Sequence, residues 1–191
     1  MKTALLIIDV QNEYFDGLRK ITYPADSFSN ILKAMDAAHA HALPIVLIQH
    51  ASPNPEAPAF RLNSHGWELH SEVASRPHDV VLGKQVPGSF TNTPLEDWLR
   101  SRDIEKVVIC GYMTQMCCDT TARQAFHRGY KVDFLSDATG TLNQSNPAGA
   151  ITAEELHKTI LIVQQSMFSL VISTKDWISE LNKQTRNQSS L

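Results

Sequence analysis

Six short apolar runs that lack polar alternation constrain this chain more than any other feature. They are Thr3–Ile8, Pro44–His50, Asp79–Leu82, Lys106–Cys110, Lys131–Leu135 and Ser169–Ser173, all rich in Val, Ile and Leu. A strand with one wet face alternates apolar and polar residues, so a run that is apolar throughout has to be covered on both faces. Helical spacing fills the intervals. Ser27–Leu43 places apolar residues at 28, 31, 32, 35, 38 and 42. Strands alternating with helices imply right-handed crossovers. The expected class is therefore α/β: a three-layer α/β/α sandwich around a six-stranded, mostly parallel, Rossmann-like sheet.

Punctuation supports that layout. Thr93-Pro94 supplies a capping residue followed by proline at a first helical position, opening a helix to about Arg102. A third helix runs from Thr114 or Gln115 to Arg128, with Gly129 as its C-cap. Thr152-Ala-Glu-Glu155 has the capping-box pattern for a fourth, reaching about Gln165. Lys175–Asn182 reads as the last helix. These elements predict one domain over residues 1–182 and a polar tail, 183–191, that frays. Residues 51–78 break the rhythm, with Pro53, Pro55, Pro58 and Pro77 around Phe60 and Trp67. Such an insertion at the carboxyl end of a strand reads equally as a substrate-contacting lid or as a packed surface loop.

Bulk properties exclude several classes. The formal charge of -3 over 191 residues argues against a nucleic-acid partner. The first apolar run ends at Asp9 and is too short for a signal peptide, and no run approaches the ~18 residues of a membrane span. Three cysteines without a secretory signal suggest reduced thiols in the cytoplasm. There is no Gly-rich phosphate loop, no dinucleotide fingerprint, no Cys-x-x-Cys and no clean metal-ligand spacing. No cofactor and no metal are expected.

Chemistry concentrates at strand ends. Asp9, Lys84 and Cys117 each follow an apolar run, and the carboxyl edge of an open parallel sheet is where ligands bind. Taken singly, each has a bland reading: a turn aspartate, a solvated lysine, a packed cysteine. Together they are an acid, an amine and a thiol in one crevice. Cys117, in the first turn of a helix, is expected to have a pKa lowered by the helix dipole and free N–H groups. Cys118 points about 100° further round the helix and reads as packing. Cys110 lies within a strand and reads as core. His50, closing the second strand, is the one histidine placed near the site.

Ala4-Leu-Leu-Ile-Ile-Asp9-Val-Gln11-Asn, Lys84 with Ser89-Phe90-x-x-Thr93-x-Leu95, and Gly111-x-x-Thr114-x-x-Cys117-x-x-x-Thr121-Ala122 together resemble the isochorismatase-like cysteine hydrolase superfamily. The likeness continues through Ala125-x-x-x-Gly129-Tyr130-x-Val132 and Asp137, to about residue 175. It implies a catalytic triad of Asp9, Lys84 and Cys117. It also implies a cis Tyr112–Met113 peptide and an oxyanion hole from the backbone N–H groups of Met113 and Cys117. The nicotinamidase-type Asp-x-His metal motif is replaced by Gln49-His50-Ala51, which points to a metal-free branch. The expected reaction is C–N hydrolysis of a small amide, carbamoyl or ureido-type substrate through a cysteine thioester. Vinyl-ether hydrolysis and a non-catalytic ligand-binding role are the alternatives. Gln11, Phe15, His50, Phe60, Trp67, Phe90 and Tyr112 are the candidate substrate-binding residues. The resemblance further implies a homo-oligomer, a dimer or tetramer.

Overall fold

A computed structural model describes the backbone of residues 1–188 and the side chains of residues 1–183. The chain runs β1 (Thr3–Ile8), α1 (Ser27–Ala40), β2 (Ile45–His50), α2 (Ser71–Ala74), β3 (Val80–Lys84), α3 (Leu95–Arg100) and β4 (Lys106–Tyr112). It continues with α4 (Asp119–His127), β5 (Lys131–Gly140), a hairpin of β6 (Gln144–Asn146) and β7 (Gly149–Ile151), α5 (Ala153–Val163), β8 (Leu170–Ile172) and α6 (Thr174–Gln188). Six strands make one parallel sheet in the order β3-β2-β1-β4-β5-β8. Helices cover both faces, the three-layer α/β/α arrangement that the apolar runs require.

Alternate residues of β1 show why its interior carries no polar position. Leu5 and Ile7 pack with Ile31 and Met35 of α1 and Trp177 of α6. Ala4, Leu6 and Ile8 pack on the other face with Leu95 and Leu99 of α3 and Ala122 and Ala125 of α4. Each such buried aliphatic side chain is worth about 1.5–3 kcal/mol against exposure. A polar residue at any of these positions would lose water without gaining a partner.

The strand order places a switch point between β1 and β4. The chain builds outward from β1 through β2 to β3, then returns to β1's other side to start β4. The connections leaving β1 and β4 therefore diverge, opening a crevice at their carboxyl ends. Gly111 lets the two strands approach there. Its φ is +117°, and a β-carbon at this position would lie 2.0 Å from the Ile8 carbonyl oxygen. No other residue fits.

Several boundaries differ from those read in the sequence. β5 continues to Gly140 because Thr139 and Gly140 pair with Gly111 and Tyr112. The β6–β7 hairpin has no apolar alternation to announce it. It turns at Asn146, whose side chain accepts the Ala148 N–H at 2.8 Å. The first part of the expected polar tail is helical instead, since α6 runs to Gln188 with no glycine or proline to stop it. Residues 189–191 lie outside the described residues. The insertion is fastened rather than loose: the Asn12 N–H donates to the Glu68 carbonyl and the His70 N–H to the Val10 carbonyl, each at 2.9 Å. Thr152 and Glu155 form the expected capping box.

Candidate active site

Three chain segments deliver the acid, the amine and the thiol to the switch point. β1 ends at Ile8, and Asp9 takes a left-handed backbone with φ 51°, a conformation that Asp tolerates better than most residues. β3 ends on Lys84, whose register partner on β2 is His50. β4 leads through Tyr112 and Met113 into a π-helical turn, Thr114–Cys118, that carries Cys117 and continues as α4. The Tyr112–Met113 peptide is cis, where the resemblance implied it.

The three side chains meet. Lys84 Nζ lies 2.7 Å from Asp9 Oδ2, and both side chains are wholly shielded from solvent. The same ammonium donates to Cys117 Sγ at 3.2 Å. Asp9 Oδ1 has no hydrogen-bond partner among the described residues. Cys117 is 7% exposed, so the thiol is almost wholly withdrawn from solvent. The loop after Lys84 is bolted to α4: Ser89 and Thr121 hydroxyls lie 2.8 Å apart, and the Phe90 N–H donates to Gln124 Oε1 at 3.2 Å. That fastening fixes the amine relative to the thiol.

Protonation differs from the sequence expectation. Burial pushes the Cys117 thiol above the usual thiol range, and the Asp9 carboxylate adds to the push. The Lys84 ammonium pulls the other way without cancelling them. A helix start cannot offset the loss of water around a buried anion. Lys84 itself is raised: burial lowers it, but Asp9 and Cys117 outweigh burial and keep it charged. The resting centre is thus a neutral thiol beside a carboxylate–ammonium pair. Alkylation of Cys117 by iodoacetamide is therefore expected to be slower than that of a free thiol at neutral pH. It should accelerate only at pH values above the ordinary thiol pKa of 9.0. Asp9→Asn removes the carboxylate that raises the thiol, so its alkylation profile shifts toward lower pH, as read by intact mass. A profile that moves to higher pH in Asp9→Asn would overturn this electrostatic picture.

The candidate substrate contacts separate into two groups. His50 stays by the centre: burial lowers its pKa, Lys84 adds to that, and its buried Nδ1 has no hydrogen-bond partner among the described residues. Phe60 stacks beside it at 5.2 Å between ring centroids. Trp67 is half-buried and lines a cleft of about 430 Å³ with Gln49, Leu62 and Thr91, bordered by Lys84. Phe15 packs its ring against Phe28 and His70, centroids 4.7 and 4.3 Å away, on the rim.

Three others do different work. Gln11 Nε2 donates to the His50 and Trp67 carbonyls at 2.8 and 2.6 Å, while Oε1 accepts the His50 N–H at 2.9 Å. Its amide staples β2 to the insertion. The Phe90 ring lies under the Arg128 guanidinium, 4.9 Å from its centroid, and packs against Tyr130, so it belongs to the core beneath α3 and α4. Tyr112 turns its ring to the α1 side, where its hydroxyl lies 3.3 Å from Ser27 Oγ. Tyr14, which the motifs did not single out, also lies beside the centre. It packs between Phe60 and Tyr112, and after burial the charges of Cys117 and Asp9 are the main causes that raise its hydroxyl. Its position in Asn12-Glu13-Tyr14-Phe15 gave one weak signal, two adjacent aromatics after a strand end, of which the sequence favoured Phe15.

Cys118 and Cys110 are fully buried and packed, one on each side of the sheet, as their positions suggested. Among the described residues, no group of three or more His, Cys, Asp or Glu side chains could hold a metal ion. No helix among them is long and apolar enough to cross a membrane.

Comparison with known proteins agrees with this geometry. The model of the isochorismatase domain matches residues 3–176. The chain belongs to the isochorismatase family. A crystal structure of an isochorismatase-type protein, so assigned provisionally, from Burkholderia xenovorans LB400 is 39% identical. It superposes with a TM-score of 0.92, covering 100% of this chain and 99% of its own. The isochorismatase family protein YddQ of Bacillus subtilis, uncharacterized, is 31% identical over 93% of this chain and 99% of itself. Relatives of this isochorismatase-family hydrolase include the ureidoacrylate amidohydrolase RutB of Methylobacterium radiotolerans, 28% identical over 96% of this chain and 81% of that protein. N-carbamoylsarcosine amidase of Thermoplasma acidophilum is 25% identical, with a TM-score of 0.73 over 91% of this chain and 97% of its own. Nicotinamidase 3 of Arabidopsis thaliana is 28% identical over 83% of this chain and 78% of that protein.

Proposed function

We propose that this chain hydrolyses the C–N bond of a small amide, carbamoyl or ureido-type compound through a thioester on Cys117, without a resident metal. One observation carries the reading: a buried ammonium bridges a carboxylate at 2.7 Å and a thiol at 3.2 Å. That arrangement separates a proton acceptor from a nucleophile while holding a cation against both.

The steps follow from the contacts. As substrate enters, Asp9 takes the Cys117 proton and Lys84 holds the sulfur anion. The sulfur attacks the carbonyl carbon, and the backbone N–H groups of Met113 and Cys117 donate to the oxygen as it gains charge. Asp9 returns the proton to the leaving nitrogen, the C–N bond breaks, and ammonia or an amine departs. A water then loses its proton to Asp9 and attacks the thioester. The C–S bond breaks, the acid or carbamate leaves, and Asp9 gives the proton back to sulfur. The raised thiol pKa suits this cycle, because a proton that leaves only when substrate arrives protects the sulfur between turnovers.

Amide chemistry draws support from the names of the relatives, which act on ureidoacrylate, N-carbamoylsarcosine and nicotinamide. The metal-free reading rests on Gln49-His50-Ala51, where Gln49 Nε2 is committed to the Trp67 carbonyl at 3.0 Å. His50, Phe60 and Tyr14 form the wall that a planar carbonyl compound would face. The test is ammonia release across a panel of carboxamides, carbamates and ureas. Turnover of at least one class with metal chelator present is expected. Turnover of none, or activity only after a divalent ion is added, would overturn the reading.

A further inference from the structure

The helix α5 is mostly solvent-exposed, yet of the three buried residues that it and the turn after it contribute, two are polar. Between Ala153 and Phe168 the buried residues are Ala153, His157 and Gln164. A surface helix ordinarily docks through an apolar stripe. Burying an imidazole and a carboxamide costs free energy unless each is hydrogen-bonded, so their partners are informative.

Both partners lie at the ends of the nucleophile turn. His157 Nε2 lies 2.9 Å from the Ser136 carbonyl, which can only accept, so Nε2 carries the hydrogen. Burial lowers the His157 pKa and keeps the ring neutral, which leaves Nδ1 as an acceptor. The Thr114 hydroxyl, 2.8 Å away, therefore donates to it. Gln164 Nε2 donates to Asp119 Oδ1 at 2.7 Å, and its Oε1 accepts from Ser169 at 2.9 Å. Asp119 in turn caps the same turn, its N–H donating to the Met116 and Thr114 carbonyls. The turn Thr114–Cys118 is thus gripped at its first residue and just past its last, with Cys117 between.

We infer that His157 and Gln164 are positioning residues, a two-point clamp that holds Cys117 and the Met113 peptide in reacting geometry. This rests on the thioester reading of the site. Thr114 directly follows Met113, so anchoring its hydroxyl fixes the peptide whose N–H would meet the oxyanion. A misplacement of about 1 Å at a reacting centre can cost on the order of 100-fold in rate. Neither clamp residue touches the sulfur.

The test compares His157→Leu, His157→Gln, Gln164→Leu and Thr114→Val with wild type. Three readouts are used: kcat and KM on the best amide of the panel, Cys117 alkylation by iodoacetamide, and thermal midpoint. His157→Leu is expected to lower kcat by roughly 10- to 100-fold. KM should stay within about 2-fold, while Cys117 alkylates faster as the turn loosens. His157→Gln keeps an acceptor and a donor and should recover most of the kcat. Thr114→Val should mimic His157→Leu, and it keeps the idea testable if the leucine variant does not fold. Unchanged kcat and alkylation in a folded His157→Leu, a loss confined to KM, or failure of glutamine to rescue would each overturn the clamp. If wild type hydrolyses nothing, the thioester reading fails by itself, and the alkylation rates still decide whether the turn is clamped.

Discussion

Cys117→Ala is expected to abolish hydrolysis of the responsive amide, with kcat reduced by at least about 1,000-fold. The folded state should be retained, because the change removes a single heavy atom from Cys117, a residue at the edge of the sheet rather than in its middle. Removing a nucleophile leaves whatever orientation and oxyanion contacts contribute, and no covalent path. Intact mass spectrometry supplies the second half of the test. A slow substrate mixed with wild type should add its acyl or carbamoyl mass to one cysteine, and the addition should vanish in the variant. Wild-type rates in Cys117→Ala would remove the nucleophile assignment. Activity of that variant on a vinyl ether would transfer the chemistry to Asp9 alone.

Lys84→Met should produce the largest loss of stability of any single change at the site. It leaves the Asp9 carboxylate wholly shielded from solvent with its ion-pair partner gone. Breaking a buried pair from one side costs about 3–5 kcal/mol, much of it the penalty for the stranded charge. The sign follows from that origin: Asp9→Asn combined with Lys84→Met strands no charge and should be more stable than Lys84→Met alone. Both should be inactive. Urea denaturation measures the difference, and a double variant no more stable than the single would argue against a stranded carboxylate. The raised pKa of Lys84 has its own direction. Its contribution is complete below the ordinary lysine value of 10.5 and is lost as pH rises through the higher folded value.

Local patterns made the layers and the three converging side chains legible in the sequence. Ala4–Ile8 is apolar at every position, and a run of that kind has to sit inside a parallel sheet with helices on both sides. The capping box at Thr152 and Glu155 is a four-residue signal and needs no tertiary context. Asp9, Lys84 and Cys117 could be placed because each marks a strand end, and strand ends are readable from composition. Pocket walls were less legible. Phe90 and Tyr112 sit in the expected motifs, but nothing local says to which side of the sheet a ring turns. Tyr14 is close to the sulfur only because the segment after β1 folds back under Phe60. Gln11 carries a good hydrogen-bonding group that the fold uses on its own backbone.

By itself, then, the sequence determined the α/β class, the sheet's burial on both faces and the three residue types that converge at its edge. Those properties depend on periodicity and on the chemistry of single side chains. The tertiary structure decided the state of that chemistry. The sequence argued for a depressed thiol pKa from a helix start, whereas the assembled site raises it, because burial, aided by the Asp9 carboxylate, outweighs one turn of helix dipole. It also decided what steadies the sulfur: His157 and Gln164 lie 40 and 47 positions from Cys117 in the chain, yet their contacts bracket it. Desolvation and long-range hydrogen bonds are properties of an enclosed volume, and no linear pattern specifies what will enclose it.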